Sequence, residues 1–188
     1  MSVLPKRQLT ADEFQAWALK QPRDGHGKFE LVDGHVVMQE AERVVHTEIK
    51  GAVFAALRNA IKSAGRPCFA IVDGAQTRIH SKKVYQPDGL VYCGERVPAD
   101  ALEVNTPVIV WEVLSPDSAA RDHGDKLEAY FTLPSLHHYL IVDPTRRAII
   151  HHRRGQDDEL LTRARKRGRL TFDPPGLEIE IADVFERP

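Results

Sequence analysis

Hydrophobic positions along this chain switch between a helical and an alternating period, and each switch marks an element. Thr10 stands three residues before Glu13, the spacing of a capping box, and Phe14, Trp17 and Ala18 recur on one face, so a short helix is predicted over residues 11–20. The run QPRDGHGK ends it. FELVDGHVVMQ then alternates about Asp33-Gly34, a hairpin signal, with Glu30 in the first strand and Met38 in the second. From about Val44 to Ser63, apolar residues at 45, 49, 53, 56, 57 and 60 trace one stripe, predicting a long helix with His46 in its opening turn.

CFAIVDG, AQTRIH and KVYQPDGLVYCG are short, β-branched and punctuated by Gly and Pro, which predicts two or three strands. VIVWEVL is a continuous apolar run between Pro107 and Pro116, the pattern of a central strand buried on both faces. DSAARDHGDKLEAYFTL is helical by content despite Gly124, with Leu127, Tyr130 and Phe131 on its packing face. HHYLIVDP and RRAIIHHRR alternate about the turn Asp143-Pro144-Thr145, and the remainder predicts further strands ending in a short helical turn. This order predicts a mixed α/β (α+β) domain around one sheet, with residues 1–188 forming a single domain.

Composition narrows the picture. At 188 residues and 42% hydrophobic positions the chain can bury one substantial core, and two would be crowded. Charged residues make up 28%, with a net charge of -1, so no global field draws the protein to nucleic acid or membrane, and any nucleic-acid contact is local. Cys68 and Cys93 are expected to be reduced, because a core of this size needs no lone staple. The start MSVLPKRQLT lacks the apolar region of a signal peptide, and no apolar run reaches the ~18–20 residues of a membrane span, so a soluble cytoplasmic protein is expected.

Three acids stand in apolar strand patterns: Glu30, Asp88 and Glu112. A buried carboxylate costs several kcal/mol unless a partner or a metal compensates it, so these positions are informative. Two such acids on neighbouring strands make a hard-oxygen site suited to Mg²⁺ or Mn²⁺. If the helix after Ser115-Pro116 folds back, Asp122, Lys126 and Tyr130 line one side of it, and the Lys126 ammonium reaches the mouth of the acid pair.

Glu30-Leu-Val-Asp-Gly34 with Val36-Val-Met38, His46, Pro87-Asp88, Glu112-Val-Leu-Ser-Pro116, Asp122 with Lys126 and Tyr130, Tyr139-Leu-Ile-Val-Asp-Pro144, Pro175-Gly-Leu177 and Asp183-Val-Phe185 follow one another in a recognisable order. This order resembles the Uma-type restriction endonuclease family of the PD-(D/E)xK nuclease superfamily, over about residues 8–186. The resemblance implies a restriction-endonuclease-like fold: a mixed central β-sheet flanked by helices, with a divalent-metal site at one edge. It also implies that Asp88 and Glu112 bind Mg²⁺ or Mn²⁺. Leu114 stands where the superfamily's strand lysine would be, and the Uma-type pattern looks like a migrated version in which Lys126 supplies the cation. Glu30 and His46 match accessory positions at the pocket edge.

The function implied is a metal-dependent endonuclease hydrolysing phosphodiester bonds of nucleic acid, with DNA the expected substrate and a homodimer compatible with cutting two strands. The alternative is a catalytically inactive nucleic-acid-binding or protein-interaction module on the same fold, with Glu112 and Lys126 kept as a structural ion pair. Arg163, Arg165, Lys166 and Arg167 could contact phosphates or form a solvated turn. Asp122 could be only an i, i+4 partner of Lys126. His137-His138 and His151-His152 do not read as zinc ligands, since adjacent strand residues point to opposite faces. A Gly-rich phosphate loop, a Gly-x-Ser-x-Gly elbow and a Cys-x-x-Cys pair are absent, which excludes the enzyme classes that need them.

Overall fold

A computed structural model describes residues 4–21, 28–38, 42–114, 122–157 and 159–186. Thr10 caps α1 (Ala11–Ala18) as its sequence predicts: its hydroxyl accepts the Glu13 amide while the Glu13 carboxylate accepts the Thr10 amide at 2.8 Å. β1 (Phe29–Val32) and β2 (His35–Met38) pair across Asp33 and Gly34, whose φ values of 49° and 82° give the left-handed turn a tight hairpin needs. α2 (Val44–Ala64) ends at Gly65, which takes the left-handed cap conformation. There follow β3 (Cys68–Val72), β4 (Thr77–His80), β5 (Lys83–Tyr85), β6 (Gly89–Cys93) and β7 (Pro107–Val113). α3 (Asp122–Phe131), β8 (His138–Asp143), β9 (Ala148–Arg154), β10 (Leu160–Arg165), β11 (Arg169–Phe172), β12 (Leu177–Glu180) and α4 (Ala182–Phe185) complete the chain. Residues 117–121 of the helix predicted before α3 lie outside the described residues.

The strands form three sheets where one was expected. Six strands in the order β10-β9-β8-β7-β6-β3 make the main sheet, which is mixed because β7 runs parallel to β8 and antiparallel to β6. β2-β1-β5-β4 form a second sheet, and β11-β12 a two-stranded ribbon. The early strands are only three or four residues long, and they close a small core of their own around Leu9, Phe14, Leu31, Val36 and Val84 instead of extending the main sheet.

Helix α2, the β11-β12 ribbon and α4 cover one face of the main sheet, packing Val53, Leu57 and Phe172 against Ile109, Trp111 and Leu140. On the other face, Tyr85 from β5 and Tyr130 from α3 pack against Val110, Tyr139 and Ile141. Each fully buried large side chain of this kind contributes roughly 1.5–3 kcal/mol. The Trp111 indole lies on Gly89 of the adjacent strand, where a Cβ would overlap the ring, so that position admits no side chain. No helix among the described residues is long and apolar enough to cross a membrane.

The cysteines depart from expectation. Cys68 and Cys93 stand directly opposite one another in the β3-β6 pairing and form a disulfide. Composition argues only about whether a staple is needed, whereas the antiparallel register decides that these two thiols meet.

Candidate active and metal site

Pro87-Asp88 leads into β6 beside the end of β7, and the Asp88 carboxylate is nearly enclosed, with 5% of the residue exposed. One carboxylate oxygen, Oδ2, accepts from His46 Nε2 at 2.9 Å and from the backbone amide of Val113 at 2.8 Å. The other, Oδ1, accepts from Lys28 Nζ at 2.8 Å. His46 and Lys50 lie four residues apart on α2 and therefore on one face of it, and Lys50 is 2% exposed. Lys50 pairs with Glu42 and, at 2.9 Å, with Asp73; Lys28 pairs with the same two acids at 3.1 and 2.6 Å. Asp73 is held in a left-handed turn, φ 54°, and its amide donates to the Asp88 carbonyl at 3.0 Å.

Burial alone would raise the Asp88 carboxyl, but the hydrogen bond from His46 and the charge of Lys28 hold it well below the usual carboxylate range. Burial alone would likewise lower Lys28, and the charges of Asp88 and Asp73 raise it well above an ordinary lysine. Asp88 and Lys28 are therefore an ionised pair.

A second cluster stands on the neighbouring lane of the sheet. Glu112 Oε1 accepts from Lys126 Nζ at 3.2 Å and from the Tyr130 hydroxyl at 3.3 Å, and Lys126 also lies 3.2 Å from Glu30 Oε1. Glu30 itself accepts the Gln86 amide at 3.1 Å. Burial pushes the Glu112 carboxyl up to about 8, with Lys126 opposing the rise and the charges of Asp88 and Glu30 adding to it. Tyr130 is raised too, by burial and by the negative charge of Glu112.

The two clusters differ in charge state and are joined through the Val113 amide. Glu42, His46 and Asp88 offer ligand atoms all within 4.8 Å of one another, close enough to share one ion. Two carboxylate oxygens and an imidazole nitrogen form a donor set that fits a divalent cation with a preference for oxygen.

A family model described as "Uma2: Putative restriction endonuclease" matches residues 11–183. The chain belongs to the Uma2 family. A Synechocystis relative, the uncharacterized protein slr1290, is 26% identical over 183 residues, which cover 96% of this chain and 93% of that protein. The crystal structure of a "putative nuclease belonging to DUF820" from Anabaena variabilis superposes with a TM-score of 0.72 at 19% identity, over 94% of this chain and 97% of that one. That likeness shows the fold, which is the mixed sheet flanked by helices that the sequence predicts.

Within this Uma2 chain, Asp88, Glu112, Lys126, Glu30 and His46 gather at one end of the main sheet, but as two groups. Lys126 bridges Glu112 and Glu30, while His46, Lys28 and Lys50 attend Asp88. Asp122 opens α3, and its side chain lies outside the described residues. Arg163 and Arg165 are exposed on β10, and Lys166 and Arg167 are exposed in the turn that follows it. The doubled histidines behave as strand alternation requires: His138 bonds His151 at 3.0 Å, whereas His152 bonds Thr162 at 2.8 Å.

Lys28, Glu42, Lys50 and Asp73 escaped the sequence reading. A signal existed for Lys50: the buried stripe of α2 runs through His46, Lys50, Val53, Leu57 and Ile61, whereas Val45 is 40% exposed. Polar residues occupy the inward positions of the first two turns because those turns face the site, so counting apolar positions alone rotated the stripe by one residue.

Proposed function

We propose that this Uma2 protein is a metal-dependent endonuclease that hydrolyses phosphodiester bonds of DNA. The observation that carries the reading is the convergence of Glu42, His46 and Asp88 on a volume that one ion could fill, one sheet lane from Glu112 and its lysine. Asp88 would hold Mg²⁺ or Mn²⁺ together with Glu112, in keeping with the superfamily pattern, and with Glu42 and His46 as further donors. Such a cation, when bound, polarises the phosphoryl group and makes coordinated water more acidic.

The chain's own groups have distinct work in this reading. His46 and the Val113 amide fix the direction of the Asp88 carboxylate. Lys126 places a positive charge where negative charge grows on a phosphate, and Glu30, bonded to the Gln86 amide, keeps that ammonium in position. Lys28 and Lys50 balance the acids around Asp88 when no phosphate is present. Two copies of the site, supplied by a homodimer, would cut both strands of a duplex.

A second reading has its own support. Both oxygens of Asp88 already have protein donors, so the ion-pair network closes without a metal and would serve an inactive binding module on this fold. Supercoiled plasmid incubated with Mn²⁺ or Mg²⁺ separates the two. The endonuclease nicks or linearises it, and Asp88→Ala and Lys126→Ala do not; a wild type inert with every divalent cation ends the enzyme reading.

A further inference from the structure

On the side of the sheet away from α3, a cavity of about 150 Å³ opens between β9-β10 and β11. Four arginines line it, Arg153, Arg163, Arg165 and Arg169, and no acidic residue among the described residues does. Arg169 is turned partly outward by Glu178 at 3.0 Å and Glu180 at 2.9 Å, and one guanidinium nitrogen of Arg165 donates to the Arg169 carbonyl at 3.2 Å. Arg153 and Arg163 have no acidic partner among the described residues. His151 closes the cavity and adds no charge, because burial and the neighbouring His138 and Arg153 push its imidazole down to about 3. The space is smaller than the ~300–1,000 Å³ of typical small-molecule sites, so it suits one ionic group better than a whole ligand. Clustered guanidinium forks match the oxygens of a phosphate, and leaving them together without an anion costs repulsion.

The cavity's position relates it to the metal site. Val113, Val142, Ile149 and Arg165 form one row across β7, β8, β9 and β10. By these pairings β10 runs in the same direction as β7, so Arg165 closes its strand at the end of the sheet where Glu112 and Val113 close theirs. Three lanes at ~4.8 Å each put Arg165 roughly 14 Å from Val113, the residue whose amide holds Asp88, with the other arginines further along the strands. A nucleic-acid backbone crossing that end of the sheet would reach both places.

We propose that this arginine cavity clamps a backbone phosphate of the nucleic acid, a few nucleotides from the bond that is cut. The assignment rests on the endonuclease reading for its ligand. Its chemistry, a phosphate held by guanidinium groups, is shared with a free phosphate ion, and the test separates the two sources.

The test measures binding of a fluorescently labelled 20-base-pair duplex in EDTA, by anisotropy, across about 50–200 mM salt. Arg163→Ala/Arg165→Ala should bind about 10-fold more weakly, and its slope of log affinity against log salt should be shallower by about one, since each neutralised phosphate contributes about 0.9. Arg163→Lys/Arg165→Lys should keep most of the slope and lose part of the affinity, because the charge remains and the fork is gone. Arg58→Ala/Lys62→Ala, the same change in charge on α2, should bind like wild type. All of these side chains are exposed, so unchanged thermal midpoints are expected.

Wild-type affinity in the Arg163/Arg165 variant, or an equal loss in the α2 control, overturns the clamp. If inorganic phosphate raises the melting temperature of wild type but not of the variant, while the duplex binds neither, the cavity takes free phosphate and the nucleic-acid assignment falls. Arginine-dependent binding without cleavage would end only the endonuclease reading, whereas cleavage with arginine-indifferent binding would end only the clamp.

Discussion

Asp88 accepts the backbone amide of Val113 at 2.8 Å, which anchors the acid entering β6 to the residue that follows the acid of β7. The two clusters therefore share a rigid joint, and the charge of Asp88 also answers Lys28, Lys50 and His46. Removing that charge leaves buried cations facing one acid fewer. Asp88→Asn is expected to abolish cleavage and to lower unfolding free energy by about 3 kcal/mol, the lower end for breaking a buried pair because Glu42 and Asp73 remain. Urea unfolding with and without Mn²⁺ checks this. A variant as stable as wild type and still stabilised by Mn²⁺ would show that Asp88 neither balances the lysines nor holds the ion.

Lys126 stands between Glu112 and Glu30, and its loss should appear as a pH effect. Glu112 already titrates at about 8, above its unfolded value, so its contribution to stability is complete below about pH 4.5 and is lost as pH rises through 8. Lys126→Met should carry that loss on above pH 8, since the lysine favours the ionised carboxylate and the slope below that pH is already close to that of one whole proton. Glu112→Gln should flatten it. Urea midpoints at pH 5, 6.5, 8 and 9 distinguish the three proteins, and identical profiles would contradict the raised acid. Cleavage by Lys126→Met should fall by about 100-fold or more.

His138 and His151 give a second pH window, on the acid side. His138 donates from Nε2 to the Pro174 carbonyl at 2.8 Å and bonds His151 through its other nitrogen. Burial holds the pair down to about 4 and about 3, so both stay neutral in the fold while the unfolded chain takes up protons below about 6.5. Their contribution is present above pH 6.5 and is lost as pH falls toward 4, at up to about 1.4 kcal/mol per pH unit for each imidazole. His151→Gln should lower the slope between pH 6.5 and 4.5 by up to about 1.4 kcal/mol per pH unit, the share of one imidazole. An unchanged slope would place the acid sensitivity elsewhere.

The β3-β6 disulfide is checked by intact mass after alkylation under denaturing conditions: no addition before reduction and two after it. Closing a loop of 25 residues stabilises by about 3 kcal/mol through the unfolded chain, so Cys68→Ser should unfold at correspondingly lower urea. Two alkylations without reduction would restore the expectation of free thiols.

Much of this was legible in the sequence because the signals were local. Thr10 with Glu13, Asp33-Gly34 and the apolar run of β7 each announce an element through neighbours a few residues away. The acids Glu30, Asp88 and Glu112 were visible as charges misplaced in apolar strands. Partnership was not legible, because it depends on distances across the fold: Lys28 reaches Asp88 across 60 residues, and Cys68 meets Cys93 only through strand register. The division into three sheets was hidden for the same reason, since a four-residue strand carries no record of which edge it joins. Lys50 was the avoidable miss, a lysine on the inward face of a helix.

Gly89 carries no charge, yet it stands between the charged groups: Asp88 precedes it, and Trp111, its partner across the sheet, precedes Glu112. Because the Trp111 indole occupies the place a side chain would need, β6 and β7 can lie flat against one another directly after Asp88 and directly before Glu112. In a saturation mutagenesis experiment scored on cleavage, this glycine would rank with the acids themselves. Only a parallel screen for folded protein would separate a position that reacts from one that merely makes room.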